Sequence, residues 1–306
     1  MAMDRYDDRL RAAMFAYVDR LAPTENDVVT TPQLQAFEFD GTRVSLLQHM
    51  RGIRVVSGLP AALTIRTTFR SDPSQLPYND AEGDDGYYRY KWQGAESDAY
   101  DNKALRIAME EQRPLLWFVG VRSGVFVPRS VWLVAEEAYA RQFVVALDDV
   151  MREQWRDPAM LDHPVDLVLR RQYAEVTVKR RLHQPVFRQR VLAAYRSQCA
   201  ICHLRHDELL DAAHIKEDAD GGQPVVPNGL AMCAIHHRAF DKNVLGITPA
   251  YEVRIRPDIL EEEDGPTLKY ALQGLHKSRL IVPRVKAAHP NSELLEERYE
   301  RFLSAG

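Results

Sequence analysis

The chain has 306 residues, enough for two domains, and its 45% hydrophobic and 27% charged residues are the make-up of an ordinary globular protein. No stretch approaches the roughly 20 apolar residues of a membrane span, and the opening Met-Ala-Met-Asp-Arg-Tyr-Asp-Asp-Arg has no apolar signal-peptide core, so a cytoplasmic protein without a membrane partner is expected. A net charge of −4 excludes a global basic field, so any nucleic-acid contact must be a local patch.

Residues 4–21 read as an amphipathic helix, with Leu10, Met14, Tyr17, Val18 and Leu21 at helical spacing. The cluster Pro23-Thr24-Glu25-Asn26-Asp27 ends it. Residues 52–69 alternate as strand, and Tyr87-Tyr88-Arg89-Tyr90-Lys91-Trp92 reads as another. A short helix begins at Asp101 and ends near Gln112. Residues 115–121, 125–127 and 131–135 form a meander around Gly120 and Gly124, followed by a strand over 143–147. Residues 1–155 are therefore expected to be a mostly-β domain with flanking helices.

Over about residues 40–135 this domain resembles the SRA domains, which read modified cytosine by flipping it out of the duplex. The resemblance is carried by Arg51-Gly52-Ile53, residues 61–69, the run from Gly83 to Tyr90, and Asp101-Asn102-Lys103-Ala104-Leu105. It implies a pocket in which aromatic rings sandwich a flipped base and a carboxylate reads its Watson–Crick edge. Tyr78, Asp80 and Tyr90 are the candidates, with Tyr88 on the same strand face as Tyr90. The alternative for each tyrosine is a half-buried sheet residue.

Residues 156–185 read as a basic linker, following a helix over 150–156 that stops at Asp157-Pro158. It carries Lys179, Arg180 and Arg181, and a helix over 186–196 adds Arg188, Arg190 and Arg196. Lys179, Arg180, Arg181, Arg188 and Arg190 are candidate phosphate contacts, which would give salt-sensitive binding. The alternative is a solvated charged face.

The next stretch holds all three cysteines. Cys199 and Cys202 form a C-x2-C knuckle, and about thirty residues on, Cys233 and His236 form a C-x2-H knuckle. Together they supply a tetrahedral Cys3His set suited to structural zinc. His203 and His206 are competing ligands. Between and after the knuckles come His214, Asn228 and His237. Asp241 lies four residues beyond His237, on the same face if the segment is helical, so the pair could hold a hard divalent cation.

From about residue 195 to 247 the chain resembles the HNH endonucleases, with their ββα-metal fold, matching at His214, Asn228 and His237 within the zinc knuckles. The resemblance implies that His214 is the general base, that His237 binds a catalytic divalent metal (Mg²⁺, Mn²⁺ or Co²⁺), and that Asn228 holds the base loop. The sequence departs from the commoner family pattern at Ala213, where many members carry a metal-binding Asp or His. Asp241 is the preferred substitute ligand, and Asp211 the weaker candidate.

Beyond the motif, residues 243–247 and 251–255 read as a hairpin, and 291–303 as a C-terminal helix with Ser292 as its N-cap. The expected fold class is α+β: an SRA-like domain over 1–155, the linker over 156–185, and a zinc-bound HNH nuclease domain over 186–306. The whole resembles modification-dependent, McrA-type restriction enzymes. That implies double-stranded DNA carrying 5-methylcytosine or a relative as substrate, and a homodimer to cut both strands. The competing readings are an HNH nuclease indifferent to modification, and a zinc-dependent DNA-binding module without catalysis.

Overall fold

The computed structural model describes residues 2–49, 51–69, 71–72, 83–156 and 164–305. The base-pocket candidates Tyr78 and Asp80 lie outside them. The chain divides into two units, one from Met1–Arg70 and Pro77–Val186, the other from Ser71–Leu76 and Phe187–Gly306. Among the described residues, no helix is long and apolar enough to cross a membrane.

The first unit opens with helix α1 (Ala2–Leu21). Short elements follow: strand β1 (Val29–Thr30), helix α2 (Thr31–Gln35), and strands β2 (Glu38–Phe39), β3 (Thr42–Arg43) and β4 (Ile53–Arg54). Then come β5 (Thr64–Thr67), β6 (Tyr88–Lys91), helix α3 (Tyr100–Glu110), β7 (Leu115–Arg122), β8 (Val125–Glu137) and β9 (Gln142–Ala146). They build a seven-stranded sheet in the order β4-β5-β7-β8-β9-β6, with β1 added on β8. The β5–β7 pair is parallel and the other pairs are antiparallel.

Strand β7 explains how this sheet is buried. Leu116 and Phe118 join a core cluster with Leu10, Met14 and Val18 of α1. Leu115, Trp117, Val119 and Val121 join the opposite cluster with Ala104, Leu105 and Ala108 of α3. Alternation puts successive side chains on opposite faces, and here both faces are apolar because a helix covers each. Strand β8 runs unbroken through Pro128, where two shorter strands were expected. Its residues 125–126 pair with β1 and its C-terminal part pairs with β9. Pro128 falls between those stretches, where a missing N–H is tolerated.

Helix α4 (Asp149–Arg156) is followed by α5 (Pro164–Val178), a π-helical segment over Lys179–His183, and α6 (Gln184–Ala194). The expected basic linker is therefore helical from Pro164 onward. Ala174, Val178, Leu182 and Val186 are fully buried in the first unit's core. A stripe repeating every four residues drifts around an α-helix of 3.6 residues per turn, and one wider π turn brings it back. The charges around that stripe hid it from a reading by composition.

The second unit contains strands β10 (Leu210–His214) and β11 (Gly229–Cys233), helix α7 (Ala234–Asp241), strands β12 (Leu245–Ile247) and β13 (Val253–Ile255), and helices α8 (Pro257–Glu261), α9 (Pro266–Ala271) and α10 (Ser292–Ser304). β10 pairs with β11, and β12 with β13, both antiparallel. The N-cap of α10 lies one residue earlier than expected: Asn291, not Ser292, accepts from the Glu293 and Leu294 N–H groups. Gly246 lets this helix sit close, since a Cβ there would lie 2.5 Å from the Phe302 ring.

Candidate active site and zinc centre

The β10–β11 hairpin and α7 form a ββα unit. In its register Leu210 faces Cys233 and His214 faces Gly229. Cys233 is also the N-cap of α7, so one residue ends the strand, starts the helix and supplies a thiol.

Cys199, Cys202, Cys233 and His236 bring their ligand atoms within 4.8 Å of one another. Among the described residues they are the one group of three or more such side chains that meets so closely, and neither His203 nor His206 joins it. The Sγ atoms of Cys202 and Cys233 are 3.9 Å apart, and His236 Nδ1 lies 3.4 Å from Cys199 Sγ and 3.1 Å from Cys233 Sγ. Zinc bonds of about 2.3 Å to sulfur and about 2.0 Å to nitrogen give tetrahedral edges of about 3.5–3.8 Å, so the cluster fits that ion. The other ring nitrogen, His236 Nε2, lies 2.7 Å from the Ala271 carbonyl at the end of α9. Donation to that carbonyl leaves Nδ1 free to ligate, the usual support of a metal-bound imidazole. Hydrogen bonds from the Cys202 and Cys233 thiols hold Cys199 far below the ordinary thiol range. Burial opposes a charge on His236, but Cys199, Cys233 and the Ala271 carbonyl push it up to about 10. The cluster thus attracts positive charge, which a divalent ion supplies.

His214 ends β10, and its ring is stacked on Phe187 of α6, with centroids 4.1 Å apart and planes 15° apart. Sequence reasoning missed Phe187. The available signal was Gly229: a glycine inside a strand often marks a close approach, and a Cβ there would lie 2.8 Å from Phe187 Cζ and 2.4 Å from Val191 Cγ2.

Asn228 is 1% exposed and spends its side chain on the loop that follows His214. Its Oδ1 accepts from Lys216 N at 2.9 Å, and its Nδ2 donates to the carbonyls of Lys216 and Gln223 at 3.0 and 2.9 Å. The loop closes so tightly that a Cβ on Gly222 would lie 2.0 Å from the Lys216 carbonyl oxygen. Gly222→Ala is expected to lower stability by about 1–3 kcal/mol, because backbone cannot yield as a side chain would; urea unfolding of the variant measures this. α10 braces the same loop through ion pairs of Lys216 with Glu297 at 3.1 Å and Arg301 with Asp220 at 2.8 Å.

His237 lies between two carboxylates. Its Nδ1 is 3.6 Å from Asp211 and its Nε2 is 3.6 Å from Asp241. The Asp211 carboxylate beside the ring raises the His237 pKa first, against burial, and the Asp241 charge adds to it. The same contact with His237 depresses the Asp211 carboxyl. A ring flanked by two carboxylates is a place that stabilises positive charge. Asp211, the weaker candidate in the sequence, is as near to His237 as Asp241 is. Ala213 is fully buried in the unit's apolar core.

Two of the five phosphate-contact candidates need correction. Arg190 is 4% exposed and donates to the Asp72 carbonyl. Arg188 donates to the carbonyls of Asp207 and Leu210 and pairs with Asp211 at 3.6 Å. Both guanidinium groups hold the protein's own backbone. In the first unit, Arg180 and Arg181 lie 3.7 and 3.4 Å from Glu25, and Lys179 has partners of its own. The base-pocket candidate Tyr90 is 6% exposed. Its hydroxyl lies 3.3 Å from the Gly52 and Arg66 carbonyls and its ring meets Trp117 edge-on, so it is a sheet-core residue and not the wall of an open pocket. Tyr88, on the same strand, is also buried.

Among curated proteins, none matches this chain. Among solved structures, one described as a modification-dependent TagI restriction endonuclease is similar, at 18% identity and a TM-score of 0.31, over 82% of this chain and 85% of that one. A second, described as the type IV phosphorothioation-dependent restriction endonuclease ScoMcrA, is similar at 16% identity and a TM-score of 0.25, over 84% of this chain and 56% of that one. The family described as HNH endonuclease matches residues 199–248, from the Cys199–Cys202 knuckle through β12. This chain therefore carries an HNH endonuclease domain.

Proposed function

We propose that the protein is a metal-dependent DNA endonuclease that cuts near modified cytosine, of the 5-methylcytosine type. The observation that carries the hydrolytic part is the approach of α7 to β10. It sets Asp211, three residues before His214, against His237. A proton acceptor and a cation-stabilising cluster are thereby joined by one short strand. The modification-dependent part rests on the sequence resemblance over about residues 40–135 and on the mostly-β first unit.

In this reading His214 takes the proton of the attacking water, as a neutral imidazole near pH 7 can. Asn228 keeps the loop after His214 closed, so that the base is presented in one position. His237, with Asp211 and Asp241 at its two ring nitrogens, would hold the divalent cation. When bound, that cation neutralises charge on the scissile phosphate and the leaving oxygen. The Cys3His cluster fixes His236 and therefore the start of α7, on which His237 is the next residue. A module with one such site cuts one strand per visit, so a homodimer on DNA is expected, and light scattering that finds only monomer on DNA would exclude it.

The test is a paired digest of one plasmid, unmethylated and cytosine-methylated, with Mg²⁺, Mn²⁺ or Co²⁺ and an EDTA control. Cutting of methylated DNA alone, and only with metal, is the expected result. Equal cutting of both plasmids would keep the nuclease and remove the modification reading. Specific DNA binding without cutting under any of these metals would instead favour a binding module.

A further inference from the structure

We propose that Phe187 is the positioning residue of the base, locking the plane of the His214 imidazole for proton transfer; this rests on the reading of His214 as general base. Phe187 is 2% exposed on α6. Its ring lies nearly parallel to His214, with centroids 4.1 Å apart and planes at 15°. The ring is itself held in place. Gly229 faces His214 across the hairpin, and its missing side chain is what admits Phe187 and Val191 to the strand. A Cβ at that position would sit 2.8 Å from Phe187 Cζ, so the phenyl packs directly against the glycine that faces His214.

The consequence is chemical. Both imidazole nitrogens lie on the ring's edge. A flat apolar ring on one face takes up none of that edge while keeping water off the face. It also suppresses rotation of the imidazole about its Cβ–Cγ bond, which would turn the accepting nitrogen away from the water. Holding a base in its reacting geometry acts on turnover rather than on substrate affinity. Leucine would fill much of the same space but would offer no plane.

The test uses the full chain with Phe187→Leu, and Val191→Ala as the control. Val191 is fully buried on the same helix and packs on the same glycine, but has no ring to stack on the imidazole. The His214 ring resonance is followed by proton–carbon NMR of histidine-labelled protein and identified by its loss in His214→Gln. Cleavage of cytosine-methylated plasmid is measured with Mg²⁺ or Mn²⁺. In the wild type the His214 ring proton is expected upfield, in the shielding zone of the phenyl face. In Phe187→Leu it is expected to move downfield, and kcat to fall roughly 10- to 100-fold with KM and zinc content within about twofold. Val191→Ala is expected to melt at lower temperature with resonance and kcat unchanged. The proposal is overturned if Phe187→Leu leaves kcat unchanged, if the resonance does not move, or if Val191→Ala loses as much turnover. A wild-type chain that cuts none of the DNA offered overturns the functional reading instead, and with it any base for Phe187 to position.

Discussion

Cys199→Ser is expected to unfold the second unit and leave the first one folded. Cys199 is fully buried and belongs to the same core cluster as Leu210, Leu230, Phe240 and Leu245. Its knuckle is tied on two sides, since Ala200 donates to the Ala231 carbonyl of β11 at 2.7 Å and accepts from Ile281 at 2.8 Å. Cys233 closes the hairpin and caps α7, and His236 is joined to the end of α9. Removing one ligand therefore frees the attachments of a hairpin and two helices together. Structural zinc contributes on the order of 10 kcal/mol to folds of this kind, as much as the whole stability of a typical domain. A serine hydroxyl is no substitute, being a poor zinc ligand at neutral pH. The expected readings are no bound zinc by metal analysis, rapid amide hydrogen exchange over residues 199–248, and retained protection in β7 and β8. A variant that keeps one equivalent of zinc and its protection would mean that a different residue closes the site, with His203 the first to test.

The parts of this molecule that could be read directly are those where chemistry dictates residue type. Thiolates and an imidazole at fixed offsets suit a tetrahedral ion, so the Cys3His set stands out in one dimension and its ligand atoms meet in the structure; the roles of His214, Asn228 and His237 come only with the resemblance to the HNH endonucleases. The α1 helix was legible for a related reason, because its apolar residues repeat at the helical period. What was not legible depends on tertiary approach. Asp211 is nameable from the sequence only as the weaker candidate, because it reaches His237 through the β10–β11 register and the direction of α7. Phe187 is one apolar residue among arginines until the packing of α6 on Gly229 brings it to the imidazole. Arg190 looked available for phosphate because charge in a sequence carries no burial, and here its guanidinium is spent on the Asp72 carbonyl. For Tyr90 likewise, alternation along β6 gives a face but not what covers it, and its burial fits the sheet-residue alternative. The π-helical segment hid a core stripe under a run of basic residues.

His214→Ala is expected to reduce cleavage by about 10²- to 10⁴-fold, the range lost when a positioned general base is removed, while zinc content and DNA affinity stay as in the wild type. The separation follows from the geometry. His214 is no part of the Cys3His cluster. Its loop is held by Asn228 and by the ion pairs of Lys216 and Asp220 with α10, none of which uses the imidazole. The variant does lose one face of packing against Phe187, a modest cost within a unit whose core remains filled. His237→Ala should behave differently: it removes the group between Asp211 and Asp241 and leaves two carboxylates without their shared partner. Its residual cleavage should need a higher concentration of Mg²⁺ or Mn²⁺, whereas that of His214→Ala should keep the wild-type metal dependence and lose only the maximum rate. Metal titrations of the two variants therefore assign the base and the cation site independently. Loss of zinc in His214→Ala would place that histidine in the structural site, and a shifted metal requirement in the same variant would make it a ligand of the catalytic cation instead of the base.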